Sequence, residues 1–534
     1  MLFLILTLAL GLRLINLNQS LWLDEAVQAI TSQENFPALW AELQGDFHPP
    51  CYHLLMWVWV RFFKASEISL RLPSVLFGVG TVGVIWRIGR QFLLTGSTGA
   101  SEKTILDRTG ALENNAFGLL FPGLAAFFLA INPFHVYYSQ ETRMYSMAAF
   151  FTALSMFFFL KAIGSRGKIR KTKSTSFLSC SWGGYFLATL VLVYTDYYGW
   201  LILLAQNLIF VFFKRRHQQS DESVCRTGLT LRKWVGVQAL IGFFYLPWLG
   251  MFLTQLKTGQ MAMTSLPEWG QLVNLIFLKA LPLTMLKFII GRITIFNKKI
   301  YFLVAGSLLV FYGSLIGPGL WKEKKNRFMI NCLRSTVLVW LFLPLLAAWL
   351  ISLRVPNYQP FRLLLVLPAF CLLLAWKITQ TKSSMIRIIE LLMVVGVSLV
   401  SLRTYYSNPY FHREDWRGLV HFLDHDWQTN AILPSATSSW PIKYYTRRFC
   451  LWDRSLVWYH GISQGIRPVR NEDRFVLQTH LQGKEKIYFI RYLVPLFDPE
   501  EKINAWLEEE GFVKIKEISF NQIPLWVFEK QESS

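Results

Sequence analysis

Leu21-Trp22-Leu23-Asp24-Glu25-Ala26, then His48-Pro49-Pro50, then Arg71-Leu72-Pro73-Ser74 punctuate a stretch that lies between two apolar segments. Adjacent carboxylates, a histidine and a Pro-Pro stop are costly to hold beside a membrane, so such a loop is a functional-site candidate by default. The chain around it is membrane-embedded. Its 534 residues are 53% hydrophobic and 16% charged, and the mean hydropathy is +0.34, too apolar for a soluble enzyme of this length. The net charge of +21 comes from short Lys/Arg clusters between apolar spans, the pattern of topogenic signals, so no nucleic acid is expected as a partner. The six cysteines form no C-x-x-C pair and imply neither a disulfide framework nor a zinc site.

The topology follows by working outward from that loop. Met1 to Leu17 is apolar apart from Arg13, with no small-residue cleavage site, and reads as a first transmembrane helix. The run Arg166-Gly167-Lys168-Ile169-Arg170-Lys171-Thr172-Lys173 marks the cytoplasmic side. Counting from it, spans are expected near 70–90, 117–136 and 146–163. Others follow near 182–196, 199–213, 234–253, 301–320, 333–352, 362–378 and 385–403, about eleven crossings in all with the N-terminus inside. Residues 52–63 are too short to span and read as a helix on the membrane surface, with a second such candidate near 271–290. The whole loop 18–69 is then extracytoplasmic.

From residue 405 the composition becomes that of a soluble domain. Helices are expected over 416–427 and 499–510, and strands over 431–433, 486–492, 512–520 and 524–528. The expected architecture is a polytopic α-helical membrane module, 1–404, followed by an extracytoplasmic α/β domain, 405–534. That domain shows no Gly-rich phosphate loop or nucleophile motif.

This topology gathers Asp24, Glu25, His48, Gln140, Glu141, Arg143, Asp196, Arg354 and Arg362 on one side of the membrane. Carboxylates and arginines at the water–lipid boundary suit a substrate with a charged head and an apolar tail.

The ordered set Leu-Trp-Leu-Asp-Glu-Ala (21–26), His-Pro-Pro (48–50), Ser-Glu-x-x-x-Arg-Leu-Pro-Ser (66–74) and Asn-Pro-Phe-His-Val-Tyr-Tyr-Ser-Gln-Glu-Thr-Arg-Met-Tyr (132–145) carries a resemblance. It resembles the polyprenol-phosphate-sugar-dependent glycosyltransferases of the GT-C superfamily, of the family 39-like type that includes protein mannosyltransferases and aminoarabinose transferases. The likeness is strongest over residues 1–215 and continues through 362–370. It implies an integral-membrane enzyme that moves a sugar from a polyprenyl phosphate to a lipid, glycan or protein acceptor on the external face of the cell membrane.

By position in the motif, Asp24 is the expected general base, with Glu25 the second candidate or an orienting partner. Arg143 and Arg362, with Gln140 and Glu141 beside the former, are expected at the donor phosphate. His48 and Asp196 are substrate or metal candidates, Asp196 standing where relatives often carry His. A divalent metal ion is a candidate cofactor, though no dedicated ligand spacing is visible. Two other classes stay open on sequence alone: a transporter of an anionic or lipid-linked substrate, and a non-catalytic anchor for the C-terminal domain.

Overall fold

The protein is described from a computed structural model covering residues 1–96, 116–164, 180–218, 231–265, 270, 274–317, 328–424, 431–434, 439–449 and 469–531. The basic run at 166–173 lies outside the described residues. The helices before the C-terminal sheet are α1 (Leu2–Leu14), α2 (Leu23–Gln33), α3 (Phe36–Gly45), α4 (Cys51–Phe62), α5 (Glu67–Gly96), α6 (Ala116–Ile131), α7 (Pro133–Ser139), α8 (Tyr145–Gly164), α9 (Cys180–Val193), α10 (Gly199–Gln218), α11 (Leu231–Ser265), α12 (Phe277–Ile290), α13 (Lys298–Ile316), α14 (Phe328–Ile351), α15 (Leu367–Gln380), α16 (Ser384–Ser407) and α17 (Trp416–Asp424). A 3-10 turn, Pro360–Val366, leads into α15.

Among the described residues, seven segments are long and apolar enough to cross a membrane. A bent pair and three shorter apolar helices, Leu2–Leu14, Ser181–Val193 and Gly199–Lys214, complete the set. Together they correspond one to one to the eleven crossings expected. The chain is a multi-pass membrane protein. Residues 52–63 form α4, one of three short helices that α2, α3 and α4 build within the loop 18–69.

The bent pair corrects the sequence reading, which ran one helix through 117–136. Helix α6 stops at Ile131, and α7 departs from it at 60°. Pro133 has no N–H to continue the ladder, and the side chain of Asn132 caps the new helix by accepting from His135 N at 3.0 Å. Asn132 Nδ2 also donates to Phe288 O at 2.7 Å, fastening the bend to α12. This turn delivers residues 140–144 to the site.

Pro73 sits inside α5 and leaves the carbonyl of Ser69 without its helical donor. Trp59 Nε1 from α4 supplies one at 3.0 Å, so the proline binds the loop helix to the spanning helix. Farther along α5, Gly78 allows close approach. A Cβ there would stand 2.2 Å from Ser139 Oγ and 3.0 Å from Arg13 Nε.

The C-terminal part holds a four-stranded sheet of β1 (Ala431–Pro434), β2 (Lys486–Ile490), β3 (Phe512–Phe520) and β4 (Ile523–Lys530), in the order β1-β2-β4-β3. The β1–β2 pair is parallel and the other two are antiparallel. Helices α18 (Ser439–Phe449), α19 (Asp473–Leu481) and α20 (Lys502–Glu509) complete it. Alternation along the strands splits the sheet. Ile487, Phe489 and Phe528 pack into a core with Leu477, Ile503 and Leu507. Tyr488, Ile490, Leu525 and Val527 face the core that continues into the membrane helices. The β3–β4 turn, Asn521-Gln522, has positive φ at both residues (40° and 75°), and Asn521 Nδ2 donates to Arg413 O at 2.6 Å. The sheet thus reaches back to the loop region of the membrane module.

Candidate active site

Glu25 is the fixed point of the site. It lies in the first turn of α2 and is fully buried. Arg71 of α5 grips both its oxygens, Nε to Oε1 at 2.8 Å and Nη2 to Oε2 at 2.5 Å. Thr142 N donates to Oε1 at 2.8 Å, and Arg413 Nε stands 3.8 Å from Oε2. Burial pushes the Glu25 carboxyl up, but Arg71, Arg413 and the Thr142 N–H outweigh it and hold the group below the ordinary carboxylate range. Arg71 also donates to the carbonyls of Leu17, Gln19 and Ser20. One carboxylate therefore joins the end of α1, helix α2, helix α5, the 140–144 turn and the C-terminal segment.

Asp24 points elsewhere. Its side chain is 34% exposed, and its Oδ2 is 3.4 Å from Arg143 Nη2. That same Nη2 is 3.5 Å from His48 Nε2. His48 Nδ1 in turn meets Asp46 Oδ1 at 2.9 Å, and Asp46 Oδ2 meets His53 Nε2 at 2.9 Å. Burial pushes the His48 imidazole down to about 3, Asp46 opposing and Arg143 reinforcing the shift, so the ring is neutral. Desolvation works to raise the Asp46 carboxyl, but its two histidine partners hold it well below the usual range.

Arg362 arrives from the 3-10 turn. Its Nε and that of Arg143 are both buried with no hydrogen-bond partner among the described residues. The rings of Tyr145 and Phe361 are 5.0 Å apart at their centroids. Arg143 is 5.9 Å from the first ring and Arg362 is 5.8 Å from the second. Asp196, in the turn after α9, is buried, and its Oδ1 accepts from Tyr198 N at 2.8 Å. Burial pushes its carboxyl up to about 6 against the pull of that N–H and of Arg362 and Arg143.

Two residues expected at the donor phosphate have other work. Both amide hydrogens of Gln140 go to the carbonyls of Arg13 (3.1 Å) and Ile15 (2.6 Å), while its oxygen accepts from Tyr405 at 3.1 Å. It holds the turn to α1 and has no free donor. Glu141 is buried with Oε2 3.4 Å from Arg413 Nη1. Burial raises its carboxyl; Arg413 opposes that and the neighbouring charge of Glu25 adds to it. The structure thus brings Asp24, Arg143 and His48 together with Arg362 and Asp196 nearby, and pairs Glu25 with Arg71, Gln140 with the carbonyls of Arg13 and Ile15, and Glu141 with Arg413.

Arg71, Asp46, His53 and Arg413 were not singled out as site residues from the sequence. Asp46 lies two residues before the His-Pro-Pro motif, and that spacing is the one signal that could have found it. Arg413 belongs to the soluble-looking part, and nothing near it in the chain marks it.

His48 and Asp196, the metal candidates, are engaged by protein groups. His48 is hydrogen-bonded to a carboxylate, Asp196 to a backbone N–H, and no group of three or more His, Cys, Asp or Glu among the described residues is arranged to hold an ion.

No protein-family model matches the chain, and no curated protein sequence matches it. Solved structures do. ArnT from Cupriavidus metallidurans, bound to undecaprenyl phosphate, is similar with a TM-score of 0.52 at 12% identity, over 99% of this chain and 98% of ArnT. The oligosaccharyltransferase AglB from Archaeoglobus fulgidus, in complex with an inhibitory peptide and a dolichol-phosphate, is similar with a TM-score of 0.53 at 13% identity, over 96% of this chain and 72% of AglB. Its complex with Zn and sulfate gives 0.53 at 12% identity, over 97% and 72%.

This chain has the fold of these ArnT and AglB structures.

At these identities the likeness is one of architecture, and the near-complete coverage includes the C-terminal sheet as well as the membrane helices. Within this fold the residues described above occupy the end of the bundle where the loop 18–69, the 140–144 turn and Arg413 converge.

Proposed function

We propose that the chain is an integral-membrane glycosyltransferase that transfers a sugar from a polyprenyl-phosphate-linked donor to an acceptor on the extracytoplasmic face, with Asp24 as general base. The observation that carries this reading is the pairing of the partly exposed Asp24 carboxylate with Arg143, which, like nearby Arg362, has a buried Nε with no acceptor among the described residues. A buried donor without a partner is unfavourable, and a lipid-linked phosphate supplies acceptor oxygens at the membrane boundary. The ligands of ArnT and AglB, undecaprenyl phosphate and dolichol-phosphate, support that donor class.

In this reading the acceptor oxygen attacks the anomeric carbon while its proton passes to Asp24. The bond from the anomeric carbon to the phosphate oxygen breaks, and the polyprenyl phosphate leaves with the electron pair. Arg143 and Arg362 meet the charge that develops on it. A single displacement inverts the anomeric centre, and no second nucleophilic carboxylate is required. Glu25 positions the helix that carries Asp24. Residues 1–404 carry the chemistry, and residues 405–534 close it through Arg413. The basic clusters support an N-terminus in the cytoplasm and a site outside, in a cell membrane whose lipids contact the helices. The sugar and the lipid, glycan or protein nature of the acceptor are set by contacts beyond these residues.

The test is transfer in membranes from a panel of polyprenyl-phosphate-linked sugars, wild type against Asp24→Asn. Transfer should fall by about 10²–10⁴-fold with donor binding nearly unchanged. Normal transfer by Asp24→Asn would remove Asp24 from the chemistry.

A further inference from the structure

Asp46 has no role in the reaction as written above, yet its carboxylate holds three donors of the loop. It accepts from Phe47 N at 2.6 Å, from His48 Nδ1 at 2.9 Å and from His53 Nε2 at 2.9 Å. A carboxylate held ionised only accepts hydrogen bonds, so the proton of the neutral His48 ring must sit on Nδ1. The lone pair is then on Nε2, the atom that faces Arg143 Nη2 at 3.5 Å.

We infer that Asp46 is a positioning residue, one that fixes the His48 tautomer whose Nε2 accepts from Arg143 and so sets the plane in which the guanidinium meets a lipid-linked phosphate. With Nη2 shared between His48 Nε2 and Asp24 Oδ2, Nε keeps no acceptor among the described residues and is the donor left for a phosphate oxygen. In the opposite tautomer an N–H would face the N–H of Arg143, and the guanidinium would be driven out of that plane.

The backbone makes this arrangement separable from Asp46. His48 O accepts from Gln255 Nε2 at 3.2 Å, the same amide that holds Leu43 O at 2.7 Å. Pro49 and Pro50 restrict the chain that follows. The ring is thus carried to its place by α11 and the Pro-Pro turn, and Asp46 decides which of its nitrogens bears the proton. His53 lies on the far side of the carboxylate from Arg143 and supports it from α4.

This inference rests on the reading of Arg143 as a phosphate ligand, and the experiment separates the two. The readout is binding of undecaprenyl phosphate to the purified protein in detergent micelles, with undecaprenol as the control lacking phosphate. Asp46→Ala should weaken undecaprenyl phosphate by about tenfold to a hundredfold, the range for a hydrogen bond to a charged group, and leave undecaprenol unchanged. His48→Gln places an acceptor oxygen near the Nε2 position and has no ring tautomer, so it should bind close to wild type. In the His48→Gln background, Asp46→Ala should then cost little further affinity.

An Asp46→Ala effect that persists in full on His48→Gln would mark a merely structural role and overturn the inference. Equal losses in His48→Gln and His48→Leu would also overturn it, and that comparison stands even if Asp46→Ala does not fold. If Arg143→Ala itself leaves undecaprenyl phosphate binding unchanged, the phosphate reading fails first and takes this inference with it.

Discussion

Arg71 meets Glu25 as a two-point pair sealed from water, its Nε on one carboxylate oxygen and its Nη2 on the other. Removing one partner of such a pair leaves a buried charge uncompensated, which costs about 3–5 kcal/mol. Glu25→Gln should therefore lower the melting temperature and the yield of monodisperse protein. Whatever folds should keep a larger fraction of its transfer rate than Asp24→Asn does. A stable but inactive Glu25→Gln would return Glu25 to the chemistry.

Arginine and lysine separate charge from shape at the two guanidiniums. Arg143→Lys and Arg362→Lys keep the charge and lose the planar fork. Each should raise the apparent donor KM or lower kcat by about tenfold or more, on the scale of a lost charge-assisted hydrogen bond. Steady-state kinetics against donor concentration check this. An unchanged donor dependence at either position assigns that arginine to packing or lipid headgroups.

Asp196 gives the stability a pH dependence of definite sign. Its carboxyl goes from 3.8 unfolded to about 6 folded because burial disfavours the charge, so the folded form binds its proton more tightly. That contribution is fully present below the unfolded value and is lost as pH rises through the folded one. Asp196→Asn keeps an acceptor for Tyr198 N. Its melting temperature should gain on wild type from about pH 4 to about pH 7 and hold that margin above. A margin independent of pH would mean that Asp196 is not protonated in the fold.

Orientation is tested at exposed positions on opposite ends of the bundle. Gln44 lies on the loop beside the site and Lys382 at the turn between α15 and α16, and both are exposed. In a cysteine-depleted background, Gln44→Cys should react with an impermeant maleimide in intact cells. Lys382→Cys should react only after permeabilisation. The reverse pattern would put the site in the cytoplasm.

The spans were legible because a bilayer imposes one requirement on each segment, and α8, α15 and α16 meet it within a few residues of where hydropathy placed them. The strands of the C-terminal sheet were legible for the same local reason, from their own apolar patterning. Less visible were the ends set by partners: the stop at Ile131 needed the cap of Asn132, and α18 and α19 carry too weak a pattern to stand out. At the site, motif position pointed to Asp24 and Arg143. It could not separate Asp24 from Glu25, since neighbouring carboxylates differ only in what they face, and Arg71 is 46 residues away. Gln140 looked available as a polar side chain at a membrane surface, and only tertiary contact reveals that α1 and Tyr405 occupy it.

The reach of Arg413 across to Glu25 and Glu141 bears on how the protein is made. Translation delivers both glutamates long before the arginine, and at roughly 5–20 residues per second the delay is on the order of tens of seconds. During that interval the helices have entered the bilayer while Glu141 has yet to receive its counter-ion. A nascent or prematurely terminated chain therefore carries Asp24 and Arg143 on an unfinished wall, and competence for transfer arrives only with the emergence of the segment that follows α16.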